Sequence, residues 1–331
     1  MLKFFTRKRK KVGLALGSGA AKGLAHIGVL KALAENRVPI DLIAGSSIGA
    51  VVGACYAKTG EIYYLEELIK EVDWRRLAKM LDPNIALFFK GVIYGKKVKE
   101  FLRTIIGDVD FKDLKIPLSV VTTDAETGEE VVIKEGSVLE AVRASISVPA
   151  VFTPVKHGNR FLMDGGIIDP VPVDIVRKMG ADYIIACNVI QVPKKEKKHY
   201  HLKPHHCTHP SGECPEGSLL KAWSEKIDDL IYENKDKINR MRKFFRMVRK
   251  KYSGADDLDP AVPTMFEAII RTIYIMEYEI VQSKIKTADM IIYPDTKGIS
   301  QVEFNRGEEA IAIGYKKTME VLSKNHTAFW R

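Results

Sequence analysis

Apolar positions in the first 190 residues follow two rhythms. Short apolar runs at Val12–Leu16, Leu42–Ala44, Leu118–Thr122, Val131–Ile133, Arg160–Met163 and Tyr183–Val189 have the length and composition of strands. Between them, apolar residues recur at helical spacing over about 22–36, 48–59, 61–71, 96–106, 137–144 and 172–179. Strands alternating with helices predict an α/β fold, a mostly parallel sheet covered on both faces. Val151–Lys156, His157-Gly158-Asn159 and Arg160–Met163 read as a hairpin with His157 at its tip, which makes the sheet mixed.

The pattern changes at residue 191. Residues 191–216 are rich in Lys, His, Cys and Pro and read as a long loop, whereas 217–252 carry apolar residues at helical spacing on a strongly basic background. A last stretch predicts a helix from about 263, a strand at Met290–Tyr293 and a closing helix at about 305–323. The organisation expected is a basic tail over 1–11, one α/β domain built from 12–190 and 256–323, and an insertion over 191–255.

Composition narrows the class. A chain of 331 residues with 46% hydrophobic and 28% charged residues buries a full core without covalent staples. Its four cysteines, Cys55, Cys187, Cys207 and Cys214, are too few and too scattered for a disulfide framework. No uncharged apolar run approaches the roughly 18 residues of a membrane span, and the first apolar run is too short for a signal peptide, so the expected location is the cytoplasm. The net charge is +10, but its distribution is uneven. Residues 1–11 hold six basic side chains and 237–251 hold eight, with no acid in either, which leaves the remainder at about −4.

Gly45-Ser46-Ser47-Ile48-Gly49 fits G-x-S-x-G and stands between a predicted strand and an apolar helix, the context that motif requires. A turn this tight needs residues almost without side chains beside the serine, and Gly45 and Gly49 provide them. The hydroxyl of Ser47 then stands on a sharp bend, with the amides of a helix start, Ile48 first, beside it. A plain turn with a serine cap is the competing reading of the pentapeptide alone, and the strand–turn–helix setting puts a nucleophilic Ser47 ahead of it.

Gly17-Ser18-Gly19-Ala20-Ala21-Lys22-Gly23 links the first strand to the first helix, and its small residues let backbone N–H groups face a cavity. Such a turn cradles a phosphate or an oxyanion, or closes with no ligand. A dinucleotide site fits less well. Lys22 stands where the third glycine belongs, and the nearest acid, Asp41, precedes the second strand instead of ending it. Asp164-Gly165-Gly166 follows the hairpin and, alone, reads as a common turn.

Taken in order, a glycine turn, G-x-S-x-G and D-G-G resemble the patatin-like phospholipase family. The stretches 23–33, 123–132, 141–155, 164–189, 288–299 and 304–315 also look like bacterial members. The resemblance spans about 12–190 and 262–323 and omits 191–255. It implies a three-layer α/β/α fold and a hydrolase of lipid carboxyl esters, of phospholipase, lysophospholipase or esterase type. It also implies a dyad of Ser47 as nucleophile and Asp164 as base, with backbone N–H groups of Gly19, Ala20, Ala21 and Ile48 as oxyanion donors. No cofactor and no metal are implied. The family's turn reads G-G-G-x-[K/R]-G, and here Ser18 and Ala20 replace two of its glycines. The turn keeps its shape if those positions do not need positive φ.

The histidines agree with a dyad. Outside the insertion only His26, His157 and His326 occur. His157 at the hairpin tip lies roughly 20 Å from Asp164 at 3.3 Å per residue. His26 reads as a packed or capping residue, and His326 sits near a chain end. A lone aspartate is a weak base, so esters rather than amides are the expected substrates.

The basic helix, with Arg240, Arg242, Lys243, Arg246, Arg249, Lys250 and Lys251 around Met241, Phe244, Phe245 and Val248, reads either as an interfacial helix on an anionic membrane or as a solvated helix. A peripheral place at the inner membrane face is the corresponding expectation. Nucleic-acid binding lacks its usual aromatic and glycine patterns. In the insertion, His205, His206, Cys207, His209 and Cys214 are candidate transition-metal ligands, but their spacing fits no familiar site and a solvated loop is expected. The alternative to an esterase is a membrane-associated regulatory or binding protein with weak or no turnover. The sequence leaves the oligomeric state open.

Overall fold

The computed structural model describes residues 9–62, 64–65, 92–191 and 265–324, all within one compact unit. Most of the predicted helix 61–71, residues 192–255 with the metal candidates and the basic helix, His326 and most of the tail lie outside the described residues.

The described strands are β1 (Val12–Leu16), β2 (Leu42–Ser46), β3 (Leu118–Asp124), β4 (Glu130–Ile133), β5 (Val155–His157), β6 (Arg160–Asp164), β7 (Tyr183–Cys187) and β8 (Met290–Ile292). The helices are α1 (Ala25–Glu35), α2 (Ile48–Thr59), α3 (Val92–Ile106), α4 (Val138–Ser145), α5 (Val173–Lys178), α6 (Met265–Lys284) and α7 (Gly307–Lys324). The sheet runs β5-β6-β3-β2-β1-β7-β8, with β4 also on β3. The pairs from β3 through β2, β1 and β7 to β8 are parallel, while β4, β5 and β6 enter antiparallel, so the mixed sheet read from the sequence is present.

Alternation along the strands builds the layers. Leu14, Leu16 and Ile43 pack into the core shared with α1 and α2. Ala15, Ala44, Ile184 and Ala186 point the other way, onto Val173 and Val176 of α5 and Val281 of α6. Helices thus cover both faces of a three-layer α/β/α fold. Among the described residues, no helix is long and apolar enough to cross a membrane.

Several predicted ends move. The helix predicted from 22 begins as a 3-10 turn at Ala20–Leu24, and the hairpin's first strand starts at Val155 rather than Val151. The hairpin itself forms, with His157 paired to Arg160.

One feature of the registry positions the site. Thr122 and Thr123 pair with both β4 and β6, while Val120 and Val121 pair with both β4 and β2. Hence β2 and β6 lie end to end along the same edge of β3. Parallel β2 arrives with Ser46 opposite Val121, and antiparallel β6 arrives with Asp164 opposite Thr122.

Candidate active site

That abutment brings Ser47 to Asp164. Ser47 Oγ donates to Asp164 Oδ2 at 2.8 Å, although 117 positions separate the two residues. Ser47 itself has φ 53° and ψ −123°, a strained backbone that lifts its side chain off the end of β2. The glycines on either side make the bend possible by close approach. A Cβ on Gly49 would lie 2.2 Å from the Leu16 carbonyl oxygen, and one on Gly45 would lie 2.6 Å from the Ala50 backbone.

Asp164 is held from several directions. Its Oδ1 accepts the Gly166 N–H at 2.7 Å, its own N–H donates to the Ser147 carbonyl at 3.0 Å, and Thr123 Oγ1 donates to its carbonyl at 2.7 Å. Only 3% of Asp164 is exposed. Burial raises its carboxyl to about 7, against the lowering pull of the Gly166 and Ser47 donors. An acid with this proton affinity is a far better base near neutrality than an exposed aspartate.

The first glycine turn runs beside the serine. Gly17 N–H donates to the Cys187 carbonyl at 3.1 Å, and Ser18 N–H to the Pro170 carbonyl at 2.8 Å. Ala21 departs from expectation: its N–H donates to the Gln301 carbonyl at 3.0 Å, so it is not free for an oxyanion. The N–H groups of Gly19 and Ala20 have no backbone acceptor among the described residues, and Ile48 opens α2, where first-turn N–H groups lack intrahelical partners.

His26 is a packed residue. It is fully buried, with Nε2 2.7 Å from the Gly17 carbonyl oxygen and Nδ1 3.1 Å from Cys187 Sγ. Burial lowers its pKa to about 4, so it is neutral. Gly17 is therefore anchored from below by a tautomer carrying its proton on Nε2, with the thiol donating to Nδ1. Asp41, weighed above as a ribose acid, instead binds Arg9 and the Val12 N–H.

Ser47 and Asp164 open onto a cavity of about 240 Å³. Its walls are almost wholly apolar, with Leu24, Ile27, Val51, Leu102, Phe152 and Ile273 among them. Among the described residues, the only carboxyl side chains on the wall are Asp164 and Glu277. Sequence reading missed Glu277. The available signal was its place on the buried stripe of α6, in register with Ile270, Ile273, Tyr274 and Val281, where a carboxylate does not belong without a partner. No cluster of metal-binding side chains exists among the described residues.

The patatin-like phospholipase family model matches residues 14–177, which include both Ser47 and Asp164. Residues 14–177 belong to the patatin-like phospholipase family. An uncharacterised NTE family protein of Mycobacterium tuberculosis is 40% identical over 179 residues, covering 54% of this chain and 49% of that protein. Patatin-like phospholipase domain-containing protein 6 of Homo sapiens is 37% identical over 184 residues, 54% of this chain and 13% of its own length. Lysophospholipase NTE1 of Pyricularia oryzae is 26% identical over 318 residues, 95% of this chain and 18% of that protein. The chain therefore spans half or less of these relatives. Among solved structures, VipD from Legionella pneumophila aligns at a TM-score of 0.48 and 15% identity, over 96% of this chain and 67% of that one.

Against the patatin-like turn, the two replaced glycines behave differently. Ser18 takes no positive φ, whereas Ala20 sits at φ 50°, next to Gly19 at φ 146°. Ala20 thus adopts a conformation that glycine reaches at no steric cost and alanine reaches at roughly 1–2 kcal/mol.

Proposed function

We propose that the protein is a serine acyl hydrolase of lipid carboxyl esters, with Ser47 as nucleophile and Asp164 as general base. The observation that carries this reading is the 2.8 Å hydrogen bond from Ser47 Oγ to a buried, proton-avid carboxyl at the mouth of an apolar cavity. Ser47 Oγ attacks the acyl carbonyl as its proton passes to Asp164 Oδ2. The oxyanion gathers N–H donors from Gly19, Ala20 and Ile48. Asp164 returns the proton to the departing alkoxide, which leaves an acyl ester on Ser47. A water molecule deprotonated by Asp164 then cleaves that ester and restores the serine. The apolar cavity suits an acyl chain, and the family name and the lysophospholipase name of the fungal relative point to the same substrate class.

The test is hydrolysis of p-nitrophenyl esters and of a lysophospholipid by wild type and Ser47→Ala, with fluorophosphonate labelling mapped to the peptide. The wild type turns over and takes the label on Ser47. Equal rates for both proteins would remove the proposal.

A second reading, a membrane-associated binding protein with little turnover, draws on the strained Ala20 and the occupied Ala21 amide. The basic segments are its anchor, as they would be for an enzyme that meets lipid at a surface. Neutralising the charges in 240–251 should then release the protein from anionic vesicles in co-sedimentation. Undiminished binding rules out that segment.

A further inference from the structure

Glu277 of α6 is a carboxyl with little to solvate it. It is 7% exposed, and its Oε1 accepts the hydroxyl of Ser18 at 2.9 Å. A Cβ built on Gly166 would lie 2.2 Å from Glu277 Oε1, 2.6 Å from Ser18 Oγ and 3.0 Å from Asp164 Oδ1. The two carboxyl oxygens flank one point, so they stand about 5 Å apart or less, across a glycine. Two carboxylates this close, both buried beside an apolar cavity, do not both ionise at neutral pH. Asp164 accepts two donors, from Ser47 and Gly166, and Glu277 accepts one, from Ser18. The single negative charge therefore settles on Asp164 and the proton stays on Glu277.

We propose that Glu277 is a positioning residue for the Ser47–Asp164 pair: it holds the proton of the second carboxyl, keeps Asp164 the charged member while the enzyme works, and shuts the site down when it ionises. This rests on the assignment of Ser47 as nucleophile and Asp164 as base. No bond to Glu277 forms or breaks in turnover. When Asp164 takes the proton of Ser47, the two carboxyls together become neutral, which suits the apolar surroundings. A charge on Glu277 would instead face the turn whose amides receive the oxyanion.

Burial and the charge of Asp164 push Glu277 to about 8, above Asp164 at about 7. Two cations on the elements packed around it are engaged elsewhere. Lys22 of the 3-10 turn meets the Tyr274 hydroxyl at 3.1 Å, and Lys284, two turns along α6, stands 3.3 Å from Asp169.

The experiment is the pH profile of kcat/KM for ester hydrolysis, with the rate of Ser47→Ala subtracted at each pH. Wild type should rise through about 7 and fall through about 8. Glu277→Gln should keep the acid limb and lose the basic one, so that the ratio of rates at about pH 9.5 and 7.5 rises roughly 25-fold. A wild-type profile with no basic limb, or the same limb in Glu277→Gln, overturns the proposal. If Glu277→Gln does not fold, Ser18→Ala decides. Removing the one hydroxyl that stabilises ionised Glu277 should move the basic limb to higher pH, and a limb that stays in place overturns the idea. Equal rates for wild type and Ser47→Ala at pH 7.5 would sink the underlying assignment instead, and this proposal with it.

Discussion

The backbone N–H of Ser47 donates to Ser145 Oγ at 2.8 Å, and that hydroxyl in turn donates to the Val121 carbonyl at 2.7 Å. Ser145, the last residue of α4, thus braces the bend at the end of β2 against β3, beside the point where β6 arrives. Replacing it with alanine takes away the acceptor of the buried Ser47 N–H, at roughly 1–3 kcal/mol. Ser145→Ala should lower the melting temperature by several degrees and cut kcat about tenfold, because the strained Ser47 backbone loses its prop. Thermal melts and single-turnover acylation measure the two effects. A variant that melts and acylates like wild type would show the bridge to be idle.

Ala20 offers a test of strain. At φ 50° it bears a penalty that glycine lacks, while glycine brings a looser unfolded chain. The two effects are each about 1 kcal/mol and opposed, so Ala20→Gly should leave the melting temperature within a few degrees and activity within about threefold. Ala20→Val, with a branched Cβ at the same φ, should lose more than about 2 kcal/mol. Denaturant unfolding of the two variants separates them, and equal stability would mean that this turn relaxes freely.

Asp164 links activity and stability to pH in opposite senses. Burial raises its folded pKa to about 7, so the proposed base is protonated and inactive as pH falls below that value. On the acid side, activity therefore rises through about 7 and is lost below it. Stability runs the other way. A carboxyl raised from about 4 to about 7 keeps its proton longer in the folded state, so its contribution is full below about 4 and disappears as pH rises through about 7. Asp164→Asn should abolish turnover. It should also reduce the loss of unfolding free energy between pH 5 and 8 by on the order of 2 kcal/mol. Urea titrations at the two pH values check the second point. An unchanged difference would mean that Asp164 titrates like an exposed acid.

What the sequence could disclose follows from how local each cause is. The elbow at Ser47 depends on Gly45 and Gly49 within two positions, and the hairpin on the Gly158-Asn159 turn, so both were legible. The occupation of the Ala21 amide depends on Gln301, 280 positions away in a loop before α7, and no local rule could anticipate it. Ser145 and Glu277 were hidden for the same reason. A serine at a helix end and an acid in a helix are ordinary residues until the fold places one under Ser47 and the other across Gly166 from Asp164. The 3-10 start at Ala20–Leu24 was also missed, because the apolar spacing from Lys22 onward matches a helix whichever way its first turn is wound.

Val51 tests what the cavity holds. It stands one turn after Ser47 on α2, half-buried on the cavity wall. Its side chain lines the cavity beside Ser47 and Ile48 at the edge of the core, so a larger residue there projects into the cavity. If the cavity of about 240 Å³ receives the acyl chain, Val51→Trp should exclude long chains and spare short ones. The kcat/KM ratio of a decanoyl to an acetyl p-nitrophenyl ester should then fall at least about tenfold, with the acetyl value within a few-fold of wild type. Parallel loss on both esters would point to a damaged dyad, and an unchanged ratio would place the acyl chain elsewhere.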